Sequence, residues 1–251
     1  MSSWKLHLPI MGTIVAVLLP WLLLAHVLPG FSMWPISMSL VGWFALGLVY
    51  THVFEYAYHR WLMHGGLRFL SFIKKSHLAH HRIFYGEQFD TRDPRALEHV
   101  TGQWFLFPIA FLAHFLLLRP LLGADELSSF LGGIVSHYLV FEVTHWFAHV
   151  AGNDFDRVVR RVPLLEWMRE TQLRHHRLHH ETPEIDFNFV PPFAMDFLSA
   201  TFLVPGDCTE ASKGPCFLPG TMRLRTPFDR GADRPQDERH AAAPALTRRK
   251  S

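Results

Sequence analysis

Cysteine is scarce in this sequence, and its scarcity excludes several kinds of metal and redox site. The 251 residues contain two cysteines, Cys208 and Cys216. An iron–sulfur cluster is held by a set of thiolates, and a closed structural zinc site usually includes cysteine. Neither cysteine has a histidine pair beside it, which argues against a zinc finger. We therefore interpret both as ordinary thiols.

Signatures of several other functions are missing as well. The sequence has no glycine-rich dinucleotide-binding string and no haem-binding module. Its 24 basic and 22 acidic residues leave a net charge of +2, whereas nucleic-acid binding needs a more strongly basic, unbalanced patch. We expect no nucleic-acid partner, and any redox chemistry would depend on electrons from another protein.

Histidine, by contrast, is abundant and clustered. An H-x-x-H-H triplet is expected about 0.1 times by chance in a chain of this length and histidine content, yet it occurs twice, each time after a histidine pair. Each histidine pair follows an apolar run that ends in Val-Phe-Glu, at residues 53–55 and 140–142. We interpret this pattern as an internal duplication. The four clusters are His59 and His64; His77, His80 and His81; His145 and His149; and His176, His179 and His180.

The spacing within the clusters has a meaning on helices. Residues i, i+3 and i+4 share a helical face, so each triplet is expected to aim three imidazoles at one point. His145 and His149 share a face in the same way. His59 and His64 stand five residues apart and would diverge by about 140° on a regular helix. Either the helix ends or bulges between them, or they serve different metals.

The number of histidines favours two metal ions. Neutral imidazole suits iron, zinc, copper and nickel, and ten candidate ligands exceed what one ion can take. A closed structural zinc site is the simpler alternative, but it needs far fewer ligands. We therefore predict a site with two metals.

Four apolar runs predict membrane spans at about residues 10–28, 33–54, 104–122 and 127–147. The first run could be a signal sequence, but only Lys5 precedes it and the turn at 28–30 leads directly into the second run. We expect an all-α integral membrane protein with four transmembrane helices in two hairpins, a membrane domain over residues 1–225 and a disordered tail over 226–251.

Basic residues predict the orientation. Seven lysines and arginines lie between the second and third spans, whereas the short turns at 29–32 and 123–126 have none. The basic side is cytoplasmic. We expect a multi-pass protein of the bacterial inner membrane or the endoplasmic reticulum, with both termini and all four histidine clusters on the cytoplasmic side.

Residues 48–201 resemble the fatty acid hydroxylase superfamily, the integral-membrane non-haem iron group that includes fatty acid 2-hydroxylases, sterol desaturases and sterol methyl oxidases. The resemblance rests on the four histidine clusters in order. Downstream, Asn188-Phe189 and residues 196–201 are similar to the family's Asn-Phe-Gly and Asp-x-Leu-Phe-Gly-Thr elements. The sequence departs from them at Val190, where glycine is usual, and at residues 199–200, where Phe-Gly is usual.

The resemblance implies a helical stalk with a cytosolic helical cap, built from residues 59–103 and 150–225, that holds the dimetal site. It implies that the ten clustered histidines bind two iron ions, with zinc able to replace iron in purified protein. The implied activity is O2-dependent hydroxylation of a lipid C–H bond in a fatty acyl or sterol-like substrate. Because the chain has no redox module, the partner would be an electron-donor protein of the ferredoxin or cytochrome b5 type.

Other functions remain open at this point. Carotenoid hydroxylases have similar histidine clusters, and a lipid desaturase would use the same oxidant. A membrane metal transporter is the alternative outside enzymes. Transporters place their ligands near the middle of the bilayer, whereas these clusters lie at the ends of the spans and beyond.

Five further residues are expected beside the ligands: His175, Glu55, Glu142, Asn188 and Asp196. A carboxylate near the end of a span is costly unless it is paired, and bonding to a ligand imidazole would orient the ring. The alternative for each glutamate is a protonated side chain bonded to a neighbouring helix. Asp196 either caps a helix or supports a ligand. Hydrogen-bonded packing is the expectation for His52, His114 and His137.

Overall fold

The computed structural model describes residues 6–27, 37–65 and 67–202, and about three quarters of these residues are helical. Within them the chain forms no strand, and its one β-bridge joins Thr91 to Val150. A π-helical segment, Tyr58–Gly65, follows α2, and 3-10 turns cover Arg68–Leu70 and Gly86–Gln88. The α-helices are α1 (Leu8–Val27), α2 (Met38–Ala57), α3 (Ser71–Ile83), α4 (Pro94–Leu97), α5 (Leu106–Leu118), α6 (Ala124–His149), α7 (Asp154–Val159), α8 (Pro163–Glu181) and α9 (Ala194–Leu198).

Three helices are long and apolar enough to cross a membrane, which is consistent with a membrane protein. They are α1 with 20 residues, α2 with its π-helical extension at 28 residues, and α6 with 26. Large apolar side chains such as Leu19, Val49 and Leu117 are 50%, 61% and 71% exposed. A hydrocarbon environment accommodates such surfaces, whereas water does not.

The expected third span, at 104–122, is shorter than predicted. Its apolar run forms α5, with 13 residues, which is about 20 Å at 1.5 Å per residue and short of a hydrocarbon core of about 30 Å. The helix ends at Leu118, two residues before Pro120, whose nitrogen has no hydrogen to continue the helical hydrogen bonds. Four helices of spanning length were expected, and the described residues form three.

Two glycines bring α2 and α6 into close contact. A Cβ added at Gly47 would lie 2.2 Å from the carbonyl oxygen of Phe130, and one added at Gly133 would lie 2.3 Å from that of Phe44. Only glycine permits this approach, which is a common way for membrane helices to pack. The contact places the ends of α2 and α6, where two histidine clusters lie, side by side.

The apolar core lies between α1, α5 and α6. Val17, Phe111, Leu127 and Leu131 are each at most 2% exposed and pack in one cluster. Beyond this core, α3 and α8 carry the histidine triplets against the ends of α2 and α6. The tail at 226–251, the part of the expected cap beyond residue 202, the first turn at 29–32 and both cysteines lie outside the described residues.

Candidate metal centre

The ten clustered histidines converge into two groups of five, and within each group one nitrogen from every ring lies within 4.8 Å of the others. We call these the first and second histidine groups. Most members are buried, and His149 and His179 have no exposed surface. The first group is His59, His64, His77, His81 and His179, and the second is His80, His145, His149, His176 and His180.

The triplets divide between the two groups, so the expectation that each triplet points at one metal is wrong. On α3, His77 and His81 join the first group and His80 joins the second. At about 100° per residue, position i+4 lies about 40° to one side of position i, and i+3 lies about 60° to the other. A helix between two adjacent sites therefore serves both. Helix α8 shows the reverse division, with His179 in the first group and its other two histidines in the second.

A π-helix explains the five-residue spacing of the first pair. His59 and His64 lie in the segment Tyr58–Gly65, and both belong to the first group. Because a π-helix bonds residue i to i+5, residues five apart stack above one another. The expected local bulge is therefore confirmed. The alternative, that His59 and His64 serve different metals, is not supported, because both belong to one group. His145 and His149 reach the second group from regular helix.

Backbone carbonyls orient four of the rings. A carbonyl only accepts, so the Nδ1 atom facing it carries the hydrogen, and Nε2 of the neutral ring keeps a lone pair. Metal-binding histidines commonly make this kind of bond. The bonds run from His59 to Phe187, from His179 to Ile185 and from His149 to Phe89, each at 2.6 Å, and from His80 to His99 at 3.1 Å.

The Nε2 atoms are spaced as the ligands of one ion would be. In the first group the Nε2 of His77 lies 3.0 Å from that of His59, 2.9 Å from that of His64 and 3.0 Å from that of His81. In the second group the Nε2 of His176 lies 3.0 Å from that of His149 and 3.2 Å from that of His180. Nitrogens about 2.1 Å from an ion and at right angles would lie about 3.0 Å apart.

A bound cation would stabilise the facing nitrogen atoms of each histidine group. Among the described residues, Nε2 of His80 has no hydrogen-bond partner and is buried, and unpaired buried polar atoms are costly. Lone pairs that face each other repel unless a positive charge lies between them. The two buried groups could thus each hold a metal ion, and their nitrogen-only donor sets suit iron, zinc, copper or nickel.

Burial keeps the clustered histidines of α3 and α8 neutral. It lowers the pKa of His77, His80, His176 and His179 well below the usual range, and nearby imidazoles lower it further. Burial lowers the pKa of His81 to about 3. These rings need not lose a proton before binding a metal at neutral pH.

His175 and Asp196 act on the site through the backbone. The ring nitrogens of His175 lie 3.3 Å from a carboxylate oxygen of Asp186 and 3.3 Å from one of Asp196. Asp196 also accepts hydrogen bonds from the backbone N–H groups of Phe187 and Asn188, at 2.8 and 2.7 Å. The Phe187 carbonyl in turn orients a ring of the first group. Asp196 therefore holds a ligand-orienting loop rather than capping α9.

Asn188 fastens the same loop to α2 and α9. Its side-chain amide donates to the carbonyl of His52 at 3.1 Å and accepts from the backbone N–H of Met195 at 3.2 Å. His52 also accepts from the backbone N–H of Ala194, at 3.2 Å. The packing role expected for His52 thus takes the specific form of anchoring α9.

The two glutamates do not bond ligand imidazoles as expected. Glu55 lies 2.7 Å from Nε2 of His137 and accepts from the backbone N–H groups of Phe189 and Val190. His52, Glu55 and His137 form a third convergent group, but hydrogen bonds occupy their facing atoms. Glu142 accepts from the hydroxyl of Tyr138.

An apolar cavity of about 170 Å³ begins at both histidine groups and extends between α2, α5 and α6. Rings of both groups form one end, including His59, His77, His80, His145 and His176. Phe107, Phe111 and Ile134 line the other end. The histidine groups therefore face an apolar space between helices that include two candidate membrane spans.

Sequence reasoning missed the carbonyl groups that orient the rings. Every residue has a carbonyl, so neither Phe89 nor Ile185 carries a side-chain signal for this role. The hydrogen bond between His137 and Glu55 was also missed. Neither a scan of protein-family models nor searches of curated proteins and of solved structures find a match to this chain.

Proposed function

We propose that this protein is a membrane-bound, O2-dependent lipid C–H hydroxylase that uses two iron ions. One observation carries the proposal: two groups of five histidines, most of them buried, open into one apolar cavity between helices that include candidate membrane spans. A transporter would need a polar path, and a structural metal site would need no cavity. The resemblance to the fatty acid hydroxylase superfamily supports the same function.

The reaction class follows from the cavity and the donor set. Hydroxylation converts R–H, O2, two electrons and two protons into R–OH and water. Iron supplies the oxidising chemistry when it is bound, as redox-inactive zinc does not. The chain's own residues orient four of the ten rings through backbone carbonyls such as that of Phe187, and exclude water with buried aromatics such as Phe84 and Phe89.

The partners of this reaction are a lipid and an electron donor. The lipid enters sideways from the bilayer, because the cavity lies between apolar helices. The electrons come from a separate ferredoxin or cytochrome b5-type protein, because the sequence carries no redox module of its own. Exposed arginines at 160, 161, 174 and 177 would suit an acidic donor.

Lipid profiling by mass spectrometry tests the proposal. A host expressing the chain should accumulate a lipid that is heavier by one oxygen, and a host expressing His80→Ala should not. His26→Ala is the matched control, because His26 is exposed and belongs to neither histidine group. A product lacking two hydrogens would identify a desaturase, and an oxidised carotenoid a carotenoid hydroxylase. No oxidised product, with metal uptake that depends on His80, would replace the proposal with a transporter.

A further inference from the structure

The two halves of the duplication each place a glutamate one turn before a histidine pair, but the two glutamates have different surroundings. Glu55 has three partners: the ring of His137 and the backbone N–H groups of Phe189 and Val190. Glu142, its counterpart, has the hydroxyl of Tyr138. Among the described residues, the carboxyl group thus has three hydrogen-bond partners in one half and one in the other.

Glu142 is buried and borders the cavity. It is 2% exposed, and it lines the cavity together with Tyr138 and His145 from the same face of α6. His145 follows it by three residues, which is about 4.5 Å along the helix axis. The carboxyl group therefore lies beside the second histidine group, where that group borders the cavity.

The opposite wall leaves the carboxyl uncovered. A Cβ added at Gly102 would lie 3.8 Å from Oε1 of Glu142 and 4.0 Å from the hydroxyl of Tyr138. A side chain larger than a methyl group at this position would fill the space over both polar groups. Glycine keeps that space open to a ligand in the cavity.

A buried carboxylate with one donor has room for another. Its two oxygens offer about four acceptor positions, and burial without enough hydrogen bonds is costly. The neighbouring wall residues Ser76 and Gln103 bond each other, with Gln103 donating at 3.5 Å. A ligand with an O–H or N–H group would give Glu142 the donor that the described protein groups do not.

We infer that Glu142, supported by Tyr138, binds the polar end of the substrate through a hydroxyl or amide N–H group. The inference rests on the proposed lipid hydroxylase function and names its substrate class: a lipid with a hydrogen-bond donor close to the oxidised carbon. The lipid tail lies toward Phe111 and Ile134. Its polar end lies at Glu142, so the carbons next to the donor face the histidine groups.

Competition binding to the purified full-length protein in detergent tests this inference with two probes. One is a long-chain primary alcohol, and the other is the methyl ether of that alcohol, which has the same chain and no donor. We expect the protein to bind the alcohol about tenfold more tightly, because the alcohol can donate a hydrogen bond to the carboxyl group and the ether cannot. Glu142→Leu should remove the preference, and Glu142→Gln, which keeps an acceptor oxygen, should retain part of it. Glu170→Leu, on the exposed surface of α8, is the matched control.

The two proposals can fail separately. Equal binding of alcohol and ether by the unaltered protein would overturn the role of Glu142 even if Glu142→Leu does not fold. An unchanged preference in a folded Glu142→Leu protein would overturn it as well. A preference for the alcohol without any oxidised lipid would keep the Glu142 site and remove the hydroxylase. Oxidation of both probes at equal rates and with equal affinities would keep the hydroxylase and overturn the role of Glu142.

Discussion

His80 shows how the backbone fixes one ring nitrogen of a site histidine while the other nitrogen faces its histidine group. Its Nδ1 donates to the carbonyl of His99 at 3.1 Å, and its Nε2 has no hydrogen-bond partner within the part of the chain that the structure describes. The ring is thus fixed before any ion binds. Preorganisation of this kind strengthens metal binding because little freedom remains to be lost.

Loss of a single ring should remove metal and turnover together. Metal analysis of the purified protein should give about two ions per chain, because each histidine group supplies five ligands. His80→Ala and His179→Ala should each lower that value and abolish turnover, and the double variant should be no less active than either. His26→Ala should keep both. A value firmly near one ion in the unaltered chain would contradict the two-metal site. His7 is a poorer control, because it accepts a hydrogen bond from Trp146.

The lowered pKa values predict acid sensitivity of the metal-free protein. The pKa of His77, His80, His176 and His179 lies well below the usual 6.5, and that of His81 is lowered to about 3. Between those values and 6.5 the unfolded chain binds more protons than the folded one, so the free energy of unfolding falls as pH drops below about 6.5. Thermal unfolding in detergent between pH 7.5 and about 4 measures this. A flat profile would contradict the burial of these rings.

At the residue scale, the sequence predicted ligand types better than ligand geometry. The ten histidines are singled out by their spacing, and all ten converge. Glu55 and Glu142 were expected to touch ligand rings, but neither does so through a hydrogen bond described above. Their partners depend on which backbone segment packs beside α2 and α6, and spacing along one helix carries no information about that.

At the element scale, the contact between α2 and α6 decides whether the two histidine groups form. Each helix ends in one histidine pair, so the distance between the helices sets the distance between the pairs. Gly133 and Gly47 permit the approach. Neither glycine was singled out in the sequence, because a glycine within an apolar helix has several possible roles.

Gly133→Val should therefore disrupt the site from a distance. The new Cβ would lie 2.3 Å from the carbonyl oxygen of Phe44 and 2.9 Å from the backbone nitrogen of Leu48, neither of which can rotate away. We expect a loss of about 3 kcal/mol of stability and a lower metal content. Thermal unfolding and metal analysis measure the two effects. Gly42→Val is the control, because a Cβ at Gly42 meets nothing within 4 Å. Equal behaviour of the two variants would show that the contact does not position the site.

Periodicity predicted which segments are helical but not how the helices deviate from regularity. The π-helical segment Tyr58–Gly65 was one of two alternatives left by the five-residue spacing of its histidines. The division of each triplet between the two histidine groups was not foreseen, because a single helix considered alone suggests one metal for all three histidines. The two adjacent groups form only when α3 and α8 pack together. The shortness of α5 follows from Pro120, which a count of apolar residues overlooks.

At the scale of the whole molecule, the histidines of both halves meet at one place. His80 of α3 shares a group with His145 of α6 and His176 of α8, so both halves of the duplication present their histidines at the same end of the helices. The described residues form three helices of spanning length and the shorter α5. The four membrane crossings expected from the sequence therefore stay a prediction.

Cysteine labelling in sealed vesicles determines the topology. Single cysteines are introduced as Gly30→Cys, Gly86→Cys and Gly231→Cys in a background lacking Cys208 and Cys216. Because basic residues favour the cytoplasm, we expect Gly86→Cys and Gly231→Cys to label from the cytoplasmic side and Gly30→Cys from the other. Labelling of Gly86→Cys and Gly231→Cys from opposite sides would mean that α5 and α6 do not both cross the membrane.

The divided triplets also make the two ions interdependent. Each group includes one ring from the helix whose other two clustered histidines belong to the other group. His179 of α8 belongs to the first group, and His80 of α3 belongs to the second. An ion in either group therefore fixes both helices in place and lowers the entropic cost of filling the other. We therefore expect metal loading to be cooperative, with little half-loaded protein at equilibrium, and we expect neither half of the duplication to form a complete centre by itself.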